Sequence, residues 1–145
     1  MRQYGIFWSS RVFAIGGACV LLISSWGCTS IQPAVIVEPG ASFTLAPGQT
    51  ATVRGTATRI TFKSVREDSR CPIDVTCVWA GDAKIEIAID PNGPAAPRIL
   101  SITPPNNEAR IGNLRIRFVG LTPVPRQADG NAPKNYLAEF VAEQM

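Results

Sequence analysis

The sequence predicts an all-β fold: a small antiparallel β-sandwich of about seven short strands with a disulfide-closed loop, preceded by an N-terminal signal helix. Three observations carry this expectation. Ile85, Ile87 and Ile89 alternate strictly with Lys84, Glu86, Ala88 and Asp90, the pattern of a strand with one dry and one wet face. Leu114, Ile116 and Phe118 repeat it, with Arg115 and Arg117 facing outward. Gly and Pro divide these and other short apolar runs at the spacing of a sandwich or barrel. At 145 residues the chain suits one domain and is too short for two substantial cores.

At the N-terminus, Arg2 and Arg11 are the only charges in the first 27 residues and precede the apolar run Val12 to Ile23. A basic start, a run of about 7–15 apolar residues and then small residues make an export signal. A membrane-spanning helix needs about 20. The run ends in Ser24-Ser25-Trp26-Gly27-Cys28 and resembles a bacterial lipoprotein signal, which implies lipidation of Cys28. Ser25 replaces the usual leucine and Trp26 is bulky, so ordinary signal-peptidase cleavage at the same bond is the alternative. The expected organisation is therefore a signal over 1–27, a lipidated tether over 28–40 and one sandwich domain over 41–145. Thr29, rather than aspartate, follows the cysteine. By the sorting pattern of such signals this implies an outer-membrane address facing the periplasm; without acylation the product is soluble and periplasmic or secreted.

Along the mature chain, Ala34 to Val37 is a candidate edge strand, followed by runs at Ser42 to Leu45, Gln49 to Arg54 and Ala57 to Val65. In the third, Ile60 and Phe62 share one face. Arg98 to Ile102 and Ala109 to Ile111 precede the turn Gly112-Asn113 and the Leu114 strand. Pro123 to Pro133 is a longer loop. The last segment reads two ways, since Tyr136, Ala138 and Phe140 alternate while Leu137 to Met145 is rich in helix formers. A closing strand agrees with every earlier element.

Composition narrows the function. A net charge of +3 falls to +1 once Arg2 and Arg11 leave, too little to suggest a nucleic-acid partner. The chain has no histidine, which removes Ser/His and Cys/His nucleophile pairs and all histidine metal ligands. No catalytic residues are assigned and no cofactor or metal is expected. Of four cysteines, Cys19 leaves with the signal. Three thiols in an oxidising compartment leave one unpaired. Acylation of Cys28 resolves this, leaving Cys71 and Cys77 as a pair whose small ring is worth about 2 kcal/mol.

The segment Asp68-Ser69-Arg70-Cys71-Pro72-Ile73-Asp74-Val75-Thr76-Cys77-Val78-Trp79-Ala80-Gly81-Asp82 carries the candidate site. Pro72 restricts the ring. Asp68 can cap the Arg70 backbone N–H. Trp79, two residues past Cys77 and the sole tryptophan left after signal removal, is expected to cover the bridge on an extended backbone. Gly81 and Asp82 turn the chain into the Ala83 strand. The string DSRCPIDVTCVWAGDAKIEI resembles a segment of small bacterial secreted proteins and lipoproteins of uncharacterised function that share a DSRCP…C(V/I)WAG pattern. That resemblance implies an exported β-domain with an ordered disulfide loop and brings no activity with it.

The expected role is thus a membrane-anchored envelope lipoprotein with a non-enzymatic binding or structural domain, its partners the membrane and an envelope protein. Two alternatives stand beside it. Glu67, Asp68, Asp74 and Asp82 can converge as oxygen ligands for calcium, although Arg66, Arg70 and Lys84 are interleaved to neutralise them. A rigid Cys71–Cys77 ring can also present Ile73, Asp74 and Val75 to a protease. Redox chemistry at the same pair is the weaker form of this alternative, since a dithiol oxidoreductase normally uses C-x-x-C and five residues here favour a structural bridge.

Overall fold

The computed structural model of the protein describes residues 34–91, 95–130 and 134–145. The expected signal helix, Cys28 and the tether up to residue 33 lie outside these described residues. Among the described residues nine strands form two sheets, in chain order β1 (Val35–Val37), β2 (Ser42–Leu45), β3 (Thr50–Val53), β4 (Thr58–Asp68), β5 (Ala83–Pro91), β6 (Ala96–Ser101), β7 (Glu108–Ile111), β8 (Leu114–Thr122) and β9 (Leu137–Gln144). The number exceeds the expected seven because edge pieces of three and four residues, β1 and β7, also pair in register.

One sheet has the order β1-β3-β4-β5-β6 and the other β2-β9-β8-β7. Every pairing is antiparallel except β1 with β3, which is parallel. The turn after β2 carries the chain from one sheet to the other. There the Gln49 side chain accepts the Ala46 N–H at 2.8 Å, and Gly48, at φ +87°, donates to the Phe62 carbonyl at 2.7 Å.

Alternation places the core as expected. Ile60, Phe62, Ile85, Ile87 and Ile89 line the inner face of the first sheet, and Leu114, Ile116, Phe118, Ala138, Phe140 and Ala142 that of the second. Phe140 sits at the centre. Its ring is 5.8 Å from both Phe43 and Phe118 within its own sheet, and 6.3 Å from Phe62 across the sandwich in an edge-on arrangement. Each such aromatic side chain contributes about 1.5–3 kcal/mol by leaving water. That burial decides the C-terminal segment in favour of a strand, because only period-two spacing puts Ala138, Phe140 and Ala142 on one face.

Two long strands change phase along their length. In β8 a register shift between Phe118 and Gly120 leaves Val119 outside and brings Leu121 inward, so the inner set passes from even to odd numbers. In β4 shifts after Phe62 and Val65 carry the strand on to Asp68. Both strands thereby reach the same end of the sandwich. There β4 hands over to the segment leading into β5, and β8 hands over to the segment leading into β9, where Thr122 is paired with Leu137.

Candidate functional site

The connection between β4 and β5 is built as a ladder with a ring on its tip. Ser69 N–H donates to the Asp82 carbonyl and Cys71 N–H to the Ala80 carbonyl, each at 2.8 Å, continuing the strand pairing for two more rungs. Cys71 and Cys77 are disulfide-bonded, with Cα atoms 6.0 Å apart. Within the ring, Val75 N–H reaches the Pro72 carbonyl at 3.4 Å and makes the turn. Gly81 closes the ladder at φ +71°, and a Cβ there would lie 1.8 Å from the Ser69 carbonyl oxygen. No other residue fits, since the obstacle is backbone and the conformation itself is left-handed.

Asp68 and Arg70 form the anchor below the ring. The Arg70 guanidinium grips Asp68 in two places, Nε to Oδ1 at 2.7 Å and Nη2 to Oδ2 at 2.9 Å. The Arg70 N–H also points to Oδ1, at 3.5 Å, so the expected local cap is present. Both side chains are largely covered, at 12% and 6% exposed. Arg70 then crosses to the other sheet, donating to the Leu121 carbonyl at the end of β8 and, at 2.9 Å, to the Pro123 carbonyl just beyond it. The Tyr136 hydroxyl donates to Asp68 Oδ2 at 3.0 Å. Burial pushes the Asp68 carboxyl up, but the hydrogen bond and charge of Arg70 together with Tyr136 outweigh it. The group ends below the usual carboxylate range. Tyr136 is held above its ordinary value by burial and by the facing carboxylate.

Asp82 is the second anchor. Burial opposes its charge, yet the Ser101 hydroxyl (2.8 and 2.7 Å), the Ala83 N–H (2.9 Å) and the Thr103 hydroxyl (3.2 Å) stabilise it, and its pKa is lowered. Asp74 receives the Gln127 N–H at 2.8 Å, and Ile73 N–H donates to the Pro125 carbonyl at 3.0 Å. Four contacts, from Arg70, Ile73 and Asp74, therefore fasten the ring of one sheet to the 121–127 segment of the other. In comparison with known proteins, no family model matches the chain, and neither the curated proteins nor the solved structures yield a match.

The sequence-selected residues thus fall into two groups. Asp68, Arg70, Cys71, Pro72, Cys77, Gly81 and Asp82 brace the segment, and Asp74 joins them through Gln127. Trp79 does not cover the bridge: it is 78% exposed. The expectation assumed an extended backbone after Cys77, whereas the chain bends at Val78 and Trp79. Val78 is 96% exposed and Ile73 58%. The four carboxylates are not brought together either. Glu67 pairs with Lys84 at 2.8 Å, Asp68 with Arg70, Asp74 with a backbone N–H and Asp82 with two hydroxyls. Among the described residues no group of three or more acidic or cysteine side chains could hold a metal.

Sequence reasoning missed Ser101, Thr103, Leu121, Pro123 and Tyr136 as partners of the site. Nothing local signals them, because they arrive from strands and strand-flanking segments that only the folded topology brings near. Two open clefts flank the same end. One of about 560 Å³ is lined by Pro123, Val124, Arg126, Asp129 and Lys134. Another of about 330 Å³ has Asp68, Tyr136 and again Lys134 in its wall.

Proposed function

We propose that the protein is an exported, lipid-anchored component of the bacterial cell envelope whose β-sandwich acts by binding or bracing rather than by catalysis. The observation that supports this reading is the division of labour in residues 68–82. Its carboxylates and its arginine are spent on holding the segment still, while Ile73, Val78 and Trp79 stand in solvent. Rigid display of apolar side chains suits recognition, because little order remains to be imposed on binding. The basic, apolar and small residues up to Gly27 supply the export and acylation reading, with Cys28 as the modified residue and an outer-membrane address implied by Thr29.

The two alternatives find less support. Calcium wants six to eight oxygen ligands converging on one point, and here each acid has a different partner. Protease inhibition by an extended loop needs free backbone groups around Ile73, and its N–H is already given to Pro125.

Treating expressing cells with a lipoprotein signal-peptidase inhibitor tests the anchor, and the uncleaved precursor is expected to accumulate. Normal processing in its presence refutes lipidation. Crosslinking in intact cells tests the binding role, which fails if no membrane or protein component is reproducibly recovered.

A further inference from the structure

Two side chains at the ring end of the sandwich carry charges that the fold does not use. The acids there are all held by donors of the protein itself. Glu67 pairs with Lys84 and Asp68 with Arg70, Asp74 and Asp129 each accept a backbone N–H, and Asp82 takes the Ser101 and Thr103 hydroxyls. Arg66 is likewise spent, on Glu86. Arg126 and Lys134 differ. Among the described residues neither has an ion-pair partner, and both line the open cleft of about 560 Å³. Lys134 also lines the smaller cleft beside Glu67 and Asp68, yet each of those carboxylates already holds a cation of its own.

One ion pair, Asp68 with Arg70, holds both walls of the larger cleft. On one wall Arg70 donates to the Leu121 and Pro123 carbonyls, Ile73 N–H to the Pro125 carbonyl, and Asp74 accepts the Gln127 N–H. The main chain on either side of Arg126 is therefore fixed. On the other wall the Tyr136 hydroxyl donates to Asp68, two residues from Lys134, and Thr122 is paired with Leu137 where β8 meets β9. Both cations thus stand on backbone that is ordered without them, which lowers the cost of binding. Pro123 and Val124, the latter 46% exposed, give the cleft an apolar stretch, and Asn135 adds an amide. The volume falls within the span of small-molecule sites, about 300–1,000 Å³.

We infer that this cleft binds an organic phosphate monoester, its phosphoryl group shared by Arg126 and Lys134 and its carbon body lying on Pro123 and Val124. Such a ligand rests on the binding role proposed above and is independent of the lipid anchor. A phosphate monoester carries a charge of about −1.5 to −2 at neutral pH and three acceptor oxygens. It can meet a guanidinium, an ammonium and an amide from different directions. A carboxylate, with one charge and two coplanar acceptors, satisfies one guanidinium and leaves the lysine unused. Asp129, the one acid among the described lining residues, opposes ligands that carry several phosphates. The cleft is open to water, so binding is screened and weakens as salt is added.

Processed protein in an uncharged detergent is titrated with phenyl phosphate, inorganic phosphate and benzoate while its backbone amides are followed by NMR. Phenyl phosphate is expected to move the amides of Thr122, Val124, Arg126, Lys134 and Asn135 saturably. It is expected to bind about tenfold more tightly than either of the other two. Arg126→Gln and Lys134→Gln are each expected to weaken it about tenfold. Neither should change the melting temperature, since neither side chain has an ion pair to lose. Arg98→Gln removes an exposed cation of β6 that is also without an ion pair, and should leave the affinity unchanged. No saturable shift, shifts that the two cleft variants leave intact, or an equal loss in Arg98→Gln overturns the site. Benzoate or inorganic phosphate binding as tightly as phenyl phosphate overturns the ligand class. Crosslinking in intact cells reads the broader binding role separately. A component recovered equally from the parent and the Arg126→Gln, Lys134→Gln double variant leaves that role standing and takes this cleft out of it. If the parent recovers nothing, the binding role falls and the titration still decides the cleft.

Discussion

Arg70 does the work of a joint. One guanidinium neutralises a carboxylate two residues away and caps two carbonyls more than fifty residues away. Its removal strands a covered Asp68 and two carbonyls at once. Arg70→Ala is therefore expected to lower unfolding free energy by about 3 kcal/mol. Arg70→Lys, which keeps the charge but loses the planar fork, is expected to lose about half of that. Urea denaturation of the two variants beside the parent checks both, and an Arg70→Lys variant as damaged as Arg70→Ala would show that geometry alone matters. At this scale the sequence is readable only where partners are close in it. The cap from Asp68 to Arg70 spans two residues and was legible. Tyr136, 68 positions from Asp68, was not. Trp79 misled because an i+2 argument holds only on extended backbone, and the bend at Val78 breaks it.

The ring and its ladder behave as one element standing outside the core. The rungs at Ser69–Asp82 and Cys71–Ala80 do not need the disulfide to form, and the strands beneath carry the packing. Replacing both cysteines by alanine is thus expected to cost about 2 kcal/mol, since a seven-residue ring removes little chain entropy. The sandwich itself stays folded. Hydrogen exchange should show the change confined to residues 71–79, with β5 amides keeping their protection; loss of β5 protection would mean the ring is part of the core's cooperative unit. Element boundaries were legible where alternation is strict, as in β5 and the first half of β8. They were not legible past the bulges. No residue pattern announces that Val119 turns outward and Leu121 inward, because the shift is set by pairing with β9. For the same reason β4 was expected to stop near Val65 but runs on to Asp68.

For the whole molecule, two of the three lowered carboxylates, Asp68 and Asp82, lie at the ring end of the sandwich, while the third, Glu143, is held by Arg115 and Arg117 at the other end of β8 and β9. Asp68 and Asp82 both have folded-state pKa values below their unfolded ones. Such groups add stability that is complete above the unfolded value and is lost as pH falls through the folded one. The melting temperature is accordingly expected to hold through neutral pH and to drop below about pH 4. Protonating Asp68 leaves Arg70 charged in a covered site, while protonating Asp82 weakens its hold on Ser101 and Thr103. The first change loosens the Arg70 joint to the 121–127 segment, the second the base of the ladder at Asp82, and neither touches the Phe140 cluster. Asp68→Asn should therefore be less stable than the parent at neutral pH yet lose less on acidification. Tyr136 works in the opposite direction: its raised pKa adds stability that is complete below its unfolded value, about 10, and is lost as pH rises through the folded one. Thermal melts of parent and Asp68→Asn across acid pH decide the matter. Parallel curves for the two proteins would place the acid-sensitive groups elsewhere, whereas converging curves assign the loss to the joint that ties the two sheets together at the ring end.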